Sequence, residues 1–265
     1  MSVLIESPHN PKIKDLLALL EKPRDRRDTQ LFVVEGVREV SMALNHQYIL
    51  HSLFYLPHLH PNPAEQFGLS SEIPCHPVSP ALYKKIAYRD DTEGLVAVMQ
   101  QKKIDLSDLI LPHNPLILVV EQAEKPGNVG AILRTADAAQ VDAVLLCDLT
   151  CDLYNPNLIR ASLGALFTRQ VVACSSAEAV AWLQKRGIDI YAATLQDSVS
   201  YLSQDYTTGC AIIVGSEAYG LTPVWRNAAR TSICIPMLGA IDSLNVSVSA
   251  AILMYEAVRQ RIKTV

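Results

Sequence analysis

Two spacings of apolar residues alternate along the second half of the chain. Short β-branched runs at 116–120, 143–147, 170–173, 188–193, 211–214 and 232–235 have the length and composition of buried strands. Between them, apolar positions recur at three- and four-residue steps and predict helices over 129–139, 157–166, 177–185 and 222–229. A last helix is predicted over 246–258, with Val246, Ala250, Leu253, Met254 and Ala257 as its stripe and Ser243 as its cap. This alternation predicts an α/β domain whose parallel sheet is covered on both faces. Ligands of such sheets sit beyond the carboxyl ends of the strands. The last helix is apolar on more than one face, Met254 and Tyr255 included, and so predicts burial against a partner subunit.

The first hundred residues follow another rhythm. Residues 7–20 predict a capped amphipathic helix, 31–34 a strand, 36–44 a helix, and 49–56 and 95–99 further apolar runs. Together they describe a small α/β module of short elements. Residues 102–114 begin with charges and have Pro112 near their end, the pattern of a linker. The expected organisation is a first module at 1–103, a linker at 104–114 and a parallel-sheet domain at 115–265.

Composition narrows the function. A chain of 265 residues, nearly half of them apolar, suits two domains with a substantial core. No apolar run could cross a bilayer and no signal-peptide pattern stands at Met1, so a soluble cytoplasmic protein without a membrane partner is expected. The six cysteines are scattered and form no paired metal knuckles; buried reduced thiols are expected. His58 and His60 lie in a proline-rich loop and read as surface, with no further ligands in view, so no metal is expected either. A net charge of −4 argues against bulk attraction to nucleic acid. The local cluster of Lys12, Lys14, Lys22, Arg24, Arg26 and Arg27 could still contact phosphates, although the interleaved Glu21, Asp25 and Asp28 also fit a solvated connection.

Three polar clusters follow predicted strands. In KPGNVGAILRTADAA, Asn128 reads as an N-cap and Arg134 falls beyond the first turn, within reach of a ligand or in a surface salt bridge. In IIVGSEAYGLTP, Gly215 and Gly220 free the backbone around Glu217. In IPMLGAIDSLNVSVSAA, Asp242, Ser243 and Asn245 gather at a helix mouth, where free N–H groups can hold an anion or simply be capped. A dinucleotide fingerprint, a Walker loop and a nucleophile elbow are all absent.

NVGAILRTADA, GSEAYGL and IPMLGAIDSLNVSVSAA resemble, in order and spacing, the three signature motifs of the SpoU (TrmH) RNA methyltransferases. YNPNLIRASLGALF is similar to the family's intermediate segment, and SPHNPKIKDLLALL…FVVEGVREV to its small RNA-binding module, akin to a ribosomal-protein fold. Gln140 departs from the pattern at a turn where glycine is more usual. The resemblance implies a parallel sheet closed by a C-terminal trefoil knot, an exception to the usual rule against knotted chains. It implies S-adenosylmethionine as cofactor, methylation of a ribose 2′-hydroxyl in ribosomal or transfer RNA, and a homodimer with its sites at the interface. By motif position, Gly215, Ile235, Leu244 and Leu195 would hold the cofactor through backbone groups. Arg134 would stabilise the developing alkoxide, Asn128, Glu217, Ser243 and Asn245 would orient the ribose and Arg134, and Arg160 would meet an RNA phosphate. Two other readings remain: a knotted enzyme that methylates a base, and a non-catalytic RNA-binding or ribosome-assembly factor on the same scaffold.

Overall fold

The computed structural model describes residues 3–87, 93–216 and 219–262. The chain forms two compact units, Met1–Lys102 with Tyr154–Thr168, and Lys103–Leu153 with Arg169–Val265. The first unit opens with α1 (Pro11–Glu21), α2 (Pro23–Thr29), β1 (Leu31–Glu35), α3 (Val37–Asn45) and β2 (Leu50–Tyr55). It continues with α4 (Pro63–Gln66), β3 (Cys75–Pro77), α5 (Pro80–Ile86) and β4 (Leu95–Gln100). The second unit begins with β5 (Leu116–Glu121), α6 (Pro126–Ala138) and β6 (Ala143–Cys147). The chain then returns to the first unit for α7 (Pro156–Ser162) and α8 (Ala165–Thr168). β7 (Gln170–Cys174), α9 (Ser176–Lys185), β8 (Asp189–Ala193), β9 (Val199–Ser200), β10 (Cys210–Val214), α10 (Pro223–Ala228), β11 (Thr231–Cys234) and α11 (Val246–Arg261) follow in the second.

In the first unit the sheet order is β1-β4-β2-β3, with β4 antiparallel to β1 and β2 and β3 parallel to β2. Asn10 caps α1 by accepting the Lys12 N–H at 3.0 Å, and Pro11 fills the first helical position. The helix then buries Ile13, Leu16 and Leu19 against Val33, Phe54, Val96 and Val98.

Two expected boundaries are corrected. Residues 154–168, assigned from sequence to the parallel-sheet domain, belong to the first unit because of their aromatic rings. Tyr154 lies 4.4 Å from Phe32 between ring centroids, and Phe167 lies 4.9 Å from Tyr48. The Tyr154 hydroxyl also donates to the Lys102 carbonyl at 2.6 Å. The single helix expected over 157–166 breaks where Leu163 and Gly164 take left-handed conformations, and a Cβ at Gly164 would come within 2.8 Å of Met42 Sδ. Residues 104–114 are not a free linker. Leu109 is buried, Ile104, Leu106 and Leu111 pack on the core of the second unit, and the Gln170 amide brackets Ile110 at 2.8 and 2.9 Å. Apolar residues every few positions outweigh the flanking prolines.

The second unit carries a seven-stranded sheet in the order β7-β6-β5-β10-β8-β11-β9, parallel at every pairing. Ile117, Val119, Leu145 and Ile213 meet Leu183 of α9 and Trp225 of α10 on one face. α6 and α11 pack against each other, with α11 on β5 and β10. At the turn before β6, Gln140 takes the left-handed conformation (φ 51°), so the turn keeps a geometry that favours glycine without having one. All six cysteines are free thiols, and burial pushes Cys210 up to about 11. His60 is buried, not at the surface, with Nδ1 facing Gln66 Oε1 at 2.8 Å and Nε2 facing the Glu93 carbonyl at 2.6 Å. Among the described residues no helix is long and apolar enough to cross a membrane, and no group of three or more His, Cys, Asp or Glu is placed to hold a metal ion.

Candidate functional site

A cleft of ≈ 700 Å³ opens in the second unit at the carboxyl ends of β8, β10 and β11. Each strand delivers a wall: Leu195 follows β8, Gly215 follows β10, and Ile235 follows β11. Ser243, Leu244 and Asn245, on the way into α11, close the remaining side. Six of the residues singled out by motif position therefore meet in one place.

Local geometry explains the glycine. A Cβ at Gly215 would collide with the Gly220 carbonyl, so only glycine lets the two ends of the turn touch. The turn is closed by Gly220 N–H donating to the Ser216 carbonyl at 3.0 Å and Tyr219 N–H donating to Ser216 Oγ at 3.1 Å. Glu217 lies outside the described residues.

At the mouth of α11 the cap is Asn245 in place of the expected Ser243. Its Oδ1 accepts from the Ser247 N–H at 3.0 Å and the Ser247 hydroxyl at 2.6 Å. Ser243 lies two residues too early to cap and donates to Asp242 Oδ1 at 3.2 Å. The start of α6 is corrected too. Pro126 suits the first helical position, so the helix begins there and Asn128 falls in its first turn instead of capping it. From that turn Asn128 Oδ1 accepts from Asn245 Nδ2 at 3.3 Å, which joins the first and third motifs directly. Arg134 is exposed further along α6 and is not part of the cleft wall.

One charged residue of the cleft, Arg226, had no signal in the motifs. Arg226 of α10 donates to Gln196 Oε1 at 3.1 Å across the mouth, and Asp242 stands on the α11 side. Arg226 comes from α10, outside all three motifs, and Asp242 from the loop before α11.

In the first unit the basic cluster separates into different roles. Lys14, Lys22 and Arg27 are exposed, Lys12 Nζ lies 3.4 Å from His76 Nδ1, and Arg24 pairs with Asp28 at 3.3 Å. Arg26 is the correction. It is 1 % exposed, and its Nη1 donates to the Leu19 and Leu20 carbonyls at 2.5 and 3.2 Å. These are carbonyls of the last turn of α1, which need a donor, so the guanidinium is a helix cap and not a phosphate contact. Arg160, on α7, donates to Asn157 Oδ1 at 2.6 Å.

Known proteins share this arrangement. Residues 115–255 match the SpoU rRNA Methylase family, and residues 10–97 match the MRM3-like substrate binding domain. The 23S rRNA (guanosine(2553)-2′-O)-methyltransferase of Bacillus subtilis is 30 % identical over 251 residues, 95 % of this chain and 97 % of that one. A solved RNA 2′-O ribose methyltransferase is 39 % identical, covers 98 % of this chain and 100 % of its own, and superposes with a TM-score of 0.83. The AdoMet-bound rRNA methyltransferase of Sinorhizobium meliloti, 28 % identical over 99 % of both chains, superposes with a TM-score of 0.90. With the second and third motifs gathered at one cleft, the first joined to it through Asn128, and the family match covering residues 115–255, the chain belongs to the SpoU rRNA methylase family.

Proposed function

We propose that this chain methylates a ribose 2′-hydroxyl of ribosomal RNA with S-adenosylmethionine, as a cytoplasmic homodimer whose C-terminal segment is tied in a trefoil knot. The observation that carries the reading is the convergence of the second and third motif loops on one cleft, with Asn128 of the first motif hydrogen-bonded to Asn245 of its wall. The cleft fits the cofactor. Leu195, Leu244 and Leu253 offer apolar surface to a flat adenine, and the forced close approach at Gly215 lines one wall with backbone. Its volume lies within the usual range of about 300–1,000 Å³ for such ligands.

Bound there, S-adenosylmethionine supplies a methyl group already activated on a sulfonium. What remains for the chain is alignment and charge stabilisation. Asn128 and Asn245, held to each other, and Ser243 orient the ribose. Arg134 stabilises the alkoxide that develops on the 2′-oxygen while an RNA phosphate accepts its proton, and the C–S bond breaks to leave a neutral thioether. Because Arg134 lies outside the wall of its own cleft, we assign it to a site completed by the second copy. Leu195, Tyr219, Leu238, Ile241 and Tyr255 are exposed apolar side chains of the second unit and support such a pairing. Tyr255 suits an interface, being 49 % exposed; Met254 is fully buried and belongs to the core. The first unit, through Lys14, Lys22 and Arg27, holds the RNA.

The test is transfer of label from methyl-tritiated S-adenosylmethionine to ribosomal RNA lacking its own 2′-O-methyl groups. An alkali-resistant labelled dinucleotide is expected, and label on a base rejects the reading. Arg134→Ala should lower turnover by about a hundredfold or more while cofactor affinity stays within a few-fold.

A further inference from the structure

Glu121 ends β5 behind the cleft, with its carboxylate 1 % exposed. Three neutral donors converge on it. The Thr222 N–H donates to Oε2 at 2.8 Å, and the hydroxyls of Thr222 and Ser176 donate to Oε1 at 2.7 and 2.9 Å. Ser176 in turn accepts the indole N–H of the fully buried Trp225 at 3.0 Å. Taking a carboxylate out of water is costly, and an apolar side chain of similar volume often holds a fold at least as well. Stability alone is therefore a weak reason for this residue.

The identity of the donors supplies a better one. Thr222 is the N-cap of α10 and directly follows Leu221, the last residue of the turn that walls the cleft. That turn leaves β10 at Gly215, where the sheet holds it. Its far end has no strand to hold it, only the short helix α10. β5 and β10 are neighbours in register, with Val120 beside Val214, so Glu121 stands level with Gly215. The carboxylate ties the exit of the turn back to the level of its entry.

We propose that Glu121 is a positioning residue of the cofactor cleft, fixing through Thr222 the wall formed by Gly215, Ser216, Gly220 and Leu221 against which an adenosyl ligand rests. This deepens the methyltransferase reading and rests on it.

The experiment is calorimetric titration of the full-length protein with S-adenosylhomocysteine, alongside thermal melts and RNA binding. Glu121→Gln places an amide N–H against one of the three donors and should raise Kd by about tenfold or more. Thr222→Val keeps the shape and the N–H and should raise it less. The double variant should be no worse than Glu121→Gln, because both act through one contact. Ser176→Ala removes a bond that does not touch the turn; it should lower Tm and leave Kd unchanged. RNA affinity should stay constant throughout. Wild-type Kd in Glu121→Gln or Thr222→Val overturns the proposal, as does a Ser176→Ala variant that weakens binding equally. If Glu121→Gln fails to fold, Thr222→Val against Ser176→Ala decides. A wild-type protein that does not bind S-adenosylhomocysteine overturns the cofactor reading itself, and this inference with it.

Discussion

Arg26 and Arg27 are neighbours in one basic run, and their side chains go to opposite places. Arg26 is buried beneath the end of α1, where it supplies donors to two carbonyls, while Arg27 stands in solvent. Arg26→Ala should therefore destabilise the protein by about 2–3 kcal/mol, as lost charged hydrogen bonds do. Arg27→Ala should leave stability within about 0.5 kcal/mol, weaken RNA binding, and reduce its salt slope by about one. Urea denaturation and binding measured over a salt series separate the two; a stable Arg26→Ala with weakened RNA binding would reverse the assignment. The run was legible as charged, but not which guanidinium turns inward. α2 has no apolar residue to dock it, so the arginine stem does the docking, and that depends on where α1 ends. Glu121 was hidden for a similar reason: a polar residue closing an apolar run reads as the solvated end of a strand. Gly215, by contrast, could be read from its motif because only glycine fits there.

At the scale of elements, α11 shows where periodicity stops informing. The apolar stripe predicted 246–258, and the helix runs one turn further, to Arg261. That turn is held by polar bonds. Gln260 joins Glu256 to the backbone at Gln204 and Tyr206, and Arg261 donates to the carbonyls of Tyr206, Asn114 and Thr208 at 2.6–2.8 Å. Arg259, bonded to both carboxylate oxygens at 2.8 Å, together with Gln260 holds Glu256 below the usual carboxylate range. A depressed carboxylate stabilises the fold above its unfolded value, and the contribution is lost as pH falls through its folded value. Glu256→Gln should thus lower Tm at pH 7, and its deficit against wild type should shrink below about pH 4. Melts from pH 7 to 3 check this; a deficit constant across that range contradicts it. The α7–α8 break was equally invisible to periodicity, since the left-handed turn at Leu163 and Gly164 leaves no mark in the apolar spacing and Met42 leaves no room for a Cβ at Gly164.

For the whole molecule, strand alternation was enough to give the α/β class and the parallel sheet. The motifs placed most of the cleft. What they could not give is which module each segment joins, because residues 154–168 pair with aromatic side chains more than a hundred residues earlier. This changes how the chain can be divided. A fragment starting at Lys103 would carry Leu158, Ile159, Leu166 and Phe167, all buried, without the partners that bury them. It should aggregate, whereas the same fragment with 154–168 replaced by a short Gly/Ser connection should stay soluble and bind S-adenosylhomocysteine. Size-exclusion chromatography and calorimetry decide; equal solubility and affinity for both fragments would show that 154–168 does not need the first unit.

The return of the chain at Tyr154 also sets a timetable. During synthesis the first unit leaves the ribosome up to Lys102 with Phe32 and Tyr48 still lacking Tyr154 and Phe167. At ~5–20 residues per second, the missing piece arrives roughly 3–13 s later. The portion made first is therefore completed late, and a nascent chain stalled between the two points would offer an unfinished aromatic surface to chaperones.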